Sequence, residues 1–322
     1  MRTGRHALPA GIALSLLAVG AGAANDPQAW LQRMAAAVQT TDYEGTVVRL
    51  SGDTAEAVKV IHSVSDGVIR EKLIAQEGNG LEIIRVGNDV QCILPERQSV
   101  MVEEWSDQST LFSTLPTRVL RIGSEYDLRV AREGRVAGRN AVVIAIKPHD
   151  EFRYEHRLWL DRETAFPLQT QLLDIDGNAV EQVKFADIEL GRDIHDSALA
   201  SSYDTAAFKW HNPPRRTSTR VVEADWRNDA LPAGFRLVSA HQQESLPGTE
   251  QRVTHLLYSD GLASVSVFVT DDAGAALPER SQVGASNSFS TVVDGHRVTA
   301  VGEVPSATVE RIATTMRKSA AE

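Results

Sequence analysis

The sequence predicts an α+β fold in which antiparallel sheets carry the architecture and a few helices pack on them. Three observations point there. Residues 152–190 spell three consecutive strands and the two turns that join them. Short apolar runs separated by Gly, Asp and Asn recur on either side of that stretch. Single amphipathic helical patterns stand near the two ends of the chain.

In the central meander Tyr154, His156, Leu158 and Leu160 alternate with Glu155, Arg157 and Trp159, as in a strand covered chiefly on one side. Asp161-Arg162-Glu163-Thr164 turns the chain. Pro167 then opens the run Leu168 to Leu173 at a strand's first position, where no ladder N–H is required. Asp176-Gly177-Asn178 accepts the positive φ of a tight hairpin, and Val180 to Phe185 returns.

Taken from its start, the chain opens on Arg2 and Arg5, a nearly apolar run from Ala7 to Val19, and small residues at Ala21-Gly22-Ala23-Ala24. Residues 1–24 therefore read as a signal peptide, too short and too rich in Ala and Gly for a membrane span. No cysteine follows it, so no N-terminal lipid anchor is expected. Asn25 or Asp26 can cap a first helix with Pro27 at its first position, and Trp30, Met34 and Val38 give that helix an apolar face. Strands are expected at Thr46 to Leu50, Ala57 to Val64, Val68 to Ile74, Leu81 to Val86, Val90 to Leu94 and Ser99 to Val102. Between Trp105 and Gly123 the rhythm fails, Pro116 interrupts any long helix, and a loop or short helical turns over the sheet are expected. Asp127 to Ala131 and Ala141 to Lys147 resume strands. After Gly191 the sheet pattern ends, and Asn212-Pro213-Pro214 with the polar residues behind it has linker composition. This places an N-terminal domain at 25–205, a linker at 206–221 and a smaller C-terminal domain at 222–322. Strands in the latter are expected at Phe235 to Ala240, Val253 to Tyr258, Leu262 to Thr270, Phe289 to Val293 and His296 to Val301. Ser259-Asp260-Gly261 and Asp294-Gly295 serve as turns, and Ser306 caps a final helix striped by Val309, Ile312, Ala313 and Met316.

The net charge of −10 sits in the first half: residues 25–205 carry 30 acidic and 19 basic side chains, residues 206–322 carry 13 and 12. That balance argues against nucleic-acid binding and for two separate units. Cys92 is the only cysteine, so core packing rather than disulfides holds the chain, and its strand position predicts a buried, inert thiol.

Chemistry is scarce. No nucleophile elbow, zinc-binding His-Glu-x-x-His, phosphate-binding glycine loop or dinucleotide fingerprint is present. No catalytic residue, metal or cofactor is assigned. Asp174-x-Asp176-Gly177-Asn178 resembles the opening of a calcium loop but lacks the closing glutamate, so a plain hairpin is the expectation. His149, Asp150, Glu151, Glu155 and His156 include metal-ligand types, yet strand alternation sets the two histidines on opposite faces, which favours a solvated surface. Arg118, Arg121, Arg129, Arg132, Arg135 and Arg139 form a basic cluster whose guanidinium forks suit lipid headgroups or an acidic partner segment. Glu125, Asp127 and Glu133 lie among them and offer neutralisation as the alternative. Trp105, Leu111, Phe112 and Leu115 suit either an acyl chain or plain core filling.

Five ordered sets of segments carry a family resemblance. They are Asp42-Tyr43-Glu44-Gly45-Thr46; Arg157-Leu158-Trp159-Leu160-Asp161 with Pro167-Leu168 and Leu172-Leu173-Asp174; Leu231-Pro232-Ala233-Gly234-Phe235; Tyr258 to Ser264; and Val301-Gly302-Glu303-Val304-Pro305. Together they resemble the RseB/MucB family of envelope-stress regulators over essentially the whole mature chain. The resemblance implies a periplasmic, non-catalytic protein with an N-terminal domain like the carriers LolA and LppX, an antiparallel half-barrel over helices with an apolar cavity. A smaller C-terminal sheet-and-helix domain would help clasp the periplasmic segment of a membrane-spanning, RseA/MucA-like anti-sigma factor and shield it from a site-1 protease. Lipid, lipopolysaccharide or lipoprotein acyl chains would release that grip, and self-association into a homo-oligomer stays open. On this sequence the lipid-responsive region would comprise Trp105, Leu111, Phe112, Leu115 and Trp159, with Arg118, Arg121, Arg129 and Arg132 for anionic headgroups. Partner contact would fall near Trp210, Tyr258 and Phe268. The alternative is a periplasmic lipid or lipoprotein carrier, which leaves the second domain without a task.

Overall fold

The computed structural model describes residues 26–104, 122–212, 220–221, 225–243, 253–271 and 278–319. The expected signal peptide, the loop holding Trp105, Leu111, Phe112, Leu115, Arg118 and Arg121, and most of the Pro-rich linker lie outside them. Helix α1 (Pro27–Thr40) starts as expected: the Asp26 carboxylate accepts from Gln28 N at 2.9 Å, and Pro27 takes the first position. Its Trp30, Leu31, Met34 and Val38 pack with Val142, Ile144, Ile146, Leu158 and Leu160 into one core cluster.

A twelve-stranded sheet forms the first unit. Strands β1 (Tyr43–Ser51), β2 (Thr54–Ser65), β3 (Val68–Ala75), β4 (Glu82–Val86), β5 (Asp89–Leu94) and β6 (Ser99–Glu104) follow one another as antiparallel neighbours. A second run comprises β7 (Tyr126–Val136), β8 (Arg139–Pro148), β9 (Glu155–Asp161), β10 (Pro167–Leu173) and β11 (Ala179–Leu190), and β11 closes against β1. Three strands separate β7 from β11 in the sheet order, which in a flat sheet would put them about 19 Å apart. Their Cα atoms nevertheless approach within 8 Å, so the sheet is strongly curled.

The curl explains where the one-sided strand reading fails. Trp159, expected on the open face of β9, is buried with Val143, Val136, Phe166 and Phe185, and the Arg132 guanidinium covers its ring at 5.8 Å. Gly134 of β7 makes room for it: a Cβ there would lie 3.1 Å from the indole. The β10–β11 turn is the plain hairpin expected, held by the Asp174 carboxylate accepting from Asn178 N at 2.8 Å.

The sheet does not end at Gly191. After helix α2 (Asp196–Leu199) the chain returns as β12 (Lys209–His211), which pairs parallel with β6. A buried ion pair steers this return: Lys72 lies 3.4 Å from Glu82, donates to Ala200 O and Ser202 Oγ, and Glu82 accepts from Ser202 N. Three residues recruited by side chains elsewhere leave no periodicity to read.

The second unit is a seven-stranded sheet plus a two-stranded one. It contains β13 (Arg220–Val221), β14 (Trp226–Asn228), β15 (Arg236–Gln243), β16 (Val253–Ser259), β17 (Ser264–Thr270), β18 (Glu279–Val283), β19 (Ser286–Val293) and β20 (His296–Gly302). Helix α3 (Ser306–Thr314) and β21 (Met316–Lys318) complete it. Val309, Ile312, Ala313 and Met316 pack on Leu256, Val265, Val267, Val298 and Ala300 as a core of their own. Ser306 is the first helical residue rather than the cap; Pro305 precedes it in extended conformation and its carbonyl accepts from Thr308 N.

Gly45 sits beside the β1–β11 bulge, where a Cβ would meet Asp187 O at 2.5 Å and Phe185 Cδ1 at 3.1 Å. Neither the partner strand's backbone nor the packed ring can give way cheaply. Gly45→Ala is expected to lower stability by about 1–3 kcal/mol, read as a reduced urea midpoint at an unchanged m-value.

Candidate functional site

The short connection between β8 and β9 is where the two units meet. Asp150 accepts from Phe152 N at 3.0 Å, a local turn that orients Arg153 away from its own sheet. The Arg153 guanidinium is fully buried. Its Nε donates to Asp260 Oδ2 at 2.5 Å, and its two other nitrogens donate to Asp150 and to Ala233 O. It also lies 4.9 Å from the Phe235 ring and 5.5 Å from that of Tyr126. Tyr126 OH donates to the same Asp260 oxygen at 2.8 Å, while Asp260 Oδ1 accepts from Leu262 N and Ala263 N. Burial, with Asp260 beside it, pushes the Tyr126 phenol well up and keeps it a donor. Removing one member of such a sealed pair strands a charge, at a cost of about 3–5 kcal/mol.

Neighbouring contacts converge on the same few residues. Thr308 Oγ1 of α3 donates to Phe152 O at 2.7 Å, and Asn287 Nδ2 donates to Tyr154 OH at 3.1 Å. Ala285 packs on Tyr154 and Leu172, and Leu262 reaches into the cluster built by α1 and β8. Beside this joint a cleft of about 90 Å³ separates Arg49, Ser51, Thr54 and Glu56 from Val283 and Gly284. A groove of about 270 Å³ follows, lined by Arg280, Gln282, Asn287, Phe289, Ser306 and Val309. It runs along β18, an edge strand whose five residues are all exposed, Val283 to 78%.

The residues singled out by sequence scatter. Trp159 fills core, as described. Arg129 and Arg132 are exposed on β7. Their acidic neighbours are engaged elsewhere, Asp127 with His149 at 3.0 Å and Glu133 with Arg162 at 2.7 Å, whereas Arg139 is held by Asp161. Trp210 is 44% exposed on β12, and Phe268 is 37% exposed and stacked on His255. Tyr258, expected at a partner surface, is 2% exposed with its hydroxyl on Met316 Sδ; its strand parity points it into the core. His156, read as part of a solvated strand, is half-buried on β9, and Asp260 lies close enough to act on its charge. Cys92 is half-buried, and burial raises its thiol pKa. Sequence reasoning missed Arg153 and gave Asp260 only as a turn residue. The quoted segments around Ala233 and Asp260 did contain both C-terminal halves of the joint.

Comparison with known proteins bears on both units. The family model described as MucB/RseB N-terminal domain matches residues 26–203, and that described as MucB/RseB C-terminal domain matches residues 220–317. The chain is 35% identical over 313 residues to the sigma factor AlgU regulatory protein MucB of Pseudomonas aeruginosa, covering 95% of this chain and 96% of the relative. It is 28% identical over 310 residues to the sigma-E factor regulatory protein RseB of Escherichia coli K12, covering 95% of each. Among solved structures, MucB in complex with MucA(peri) superposes with a TM-score of 0.72 at 33% identity, covering 92% of this chain and 100% of that one. MucB without a named partner superposes at 0.61 and 31% identity, covering 91% and 98%.

Burial lowers the His156 pKa from 6.5 to about 4, with Asp260 opposing the shift. The unfolded chain therefore takes up a proton between those values that the folded chain refuses. Stability from this group is complete above pH 6.5 and falls, by at most about 3 kcal/mol, as the pH drops towards 4. Urea titrations at several pH values should show a flatter acid limb for His156→Gln than for the wild type, and equal slopes would contradict the assignment.

Proposed function

Because the chain belongs to the MucB/RseB family, we propose that it is a periplasmic regulator of an envelope-stress sigma factor. It binds the periplasmic segment of a MucA-like anti-sigma factor and shields that segment from proteolysis. What supports the reading is that the likeness to MucB spans both sheets and the joint between them, so the whole gripping body is shared. The protein acts by occupancy rather than by catalysis, in keeping with relatives that carry regulatory names. The 270 Å³ groove between β18, β19 and α3 suits a bound segment, and β18, the last strand of its sheet among the described residues, offers backbone hydrogen bonds to it. Exposed Phe268 and Trp210 offer apolar anchors.

Release follows when a lipid, lipopolysaccharide or lipoprotein acyl chain favours an arrangement with lower partner affinity, since a ligand shifts an equilibrium only through different affinity for its two states. Exposed Arg129 and Arg132 on β7 supply charge for an anionic headgroup.

Fluorescence anisotropy with a labelled periplasmic segment of a MucA-like anti-sigma factor tests this directly. Saturable binding is expected, with a dissociation constant raised at least fivefold by lipopolysaccharide and cleavage of the segment slowed in the complex. No binding would overturn the regulator reading. Binding unchanged by lipid would overturn the release step. Lipid transfer to acceptor vesicles without segment binding would favour a carrier.

A further inference from the structure

We propose that Arg153 is a positioning residue: it fixes the angle at which the second sheet stands on the first and so sets the surface offered to the partner. The role rests on the regulator reading only for its consequence in binding. Three observations carry it.

The first is geometry. A planar guanidinium with acceptors on three sides constrains orientation in a way that sliding apolar contacts do not. Here one acceptor, Asp150, belongs to the first unit, and the other two, Asp260 and Ala233 O, come from two separate loops of the second. The second is economy of contact. The hydrogen bonds from Thr308 and Asn287 fall on Phe152 and Tyr154, the residues flanking Arg153. One five-residue stretch thus carries these polar contacts, Tyr126 of β7 adding a bond to the same Asp260 carboxylate that Arg153 engages. The third is coupling. The carboxylate that receives Arg153 through Oδ2 holds Leu262 N and Ala263 N through Oδ1, and Leu262 is embedded in the first unit's core. Losing the Arg153 bond loosens the loop that keeps Leu262 seated, so the joint has a seated and an unseated state rather than a continuous range.

The test uses the full chain in a Cys92→Ser background, with nitroxide labels on cysteines introduced at the exposed positions Asp187 and Thr314. Pulsed dipolar spectroscopy reads the distance between the two sheets, and anisotropy with the MucA-like periplasmic segment reads affinity. Asp260→Asn keeps Oδ1 as an acceptor for its own loop but places an N–H donor where Arg153 must bond. Arg153→Met removes the fork and the charge; Arg153→Lys keeps the charge without the fork. Near-ultraviolet circular dichroism of each variant confirms folding, and Arg162→Gln, a surface pair member, is the control.

The expected result is a narrow distance distribution for the wild type and control. Asp260→Asn and Arg153→Met should broaden or shift it, with at least a tenfold loss of affinity, and Arg153→Lys should fall between. Unchanged distributions in folded Asp260→Asn and Arg153→Lys would overturn the positioning role even where Arg153→Met fails to fold. Broadened distributions with unchanged affinity would overturn the link to the partner surface. A wild type that binds no segment overturns the regulator reading and that link together, while the distance arm still decides whether Arg153 sets the angle.

Discussion

A buried guanidinium stands at the centre of the contact between this molecule's two halves, with Tyr126, Thr308, Asn287, Leu262 and Ala285 beside it. Arg153 is out of water, and its charge is answered by Asp150 on its own side and Asp260 on the other. An apolar joint of equal area would be cheaper, because taking ions out of water costs several kcal/mol each before their attraction repays it. What the ionic joint adds is direction: three acceptors and two flanking rings accept the guanidinium plane in one attitude. The proposed grip on a partner segment by two modules needs them at a defined angle, and this contact is the one proposed to supply it.

The first sheet prepares that contact. Its curl brings β7 back towards β11, buries Trp159 and leaves the β8–β9 connection projecting towards the second unit. Small residues permit the close approaches, Gly134 beneath the indole and Gly45 against Asp187 O. Lys72 and Glu82 secure the returning segment that ends as β12. The second sheet keeps a separate core around Ile312 and Val265, touching the first through Leu262 and Ala285 rather than merging with it. Two cores joined through polar bonds and the two apolar contacts of Leu262 and Ala285 can shift relative to each other without either one unfolding.

Most of this architecture was legible in the sequence because it is local. Alternation and turn residues located the hairpins of both sheets, and Asp26 with Pro27 marked the first helix to the residue. The failures share one cause, which is that tertiary contacts leave no periodic trace. β12 is three residues drawn to β6 by side chains from β3 and β4. β18, β14 and β21 are short, and β18 is polar but for Val283. Trp159 was assigned by parity to an open face that the curl then closed, and His156 was read as solvated from the charges around it although parity set it with Leu158. Among site residues, Trp210 and Phe268 stand where a partner can reach them, whereas Tyr258 does not. Arg153 escaped notice because a lone arginine near Asp150, Glu151 and Glu155 looks like surface, and only the fold reveals that a second module covers it. The family segments around Ala233 and Asp260 mark that module's side of the joint, so the resemblance contained the site without disclosing its geometry.

In the proposed function both modules, held at one angle, grip a partner segment jointly. Hydrogen–deuterium exchange of the full chain, alone and saturated with a MucA-like periplasmic segment, tests it most directly. A joint grip slows exchange in both units at once, in the β18–β19 hairpin and in the 149–154 connection together. Protection confined to one sheet, with the connection exchanging as in the free chain, would contradict it.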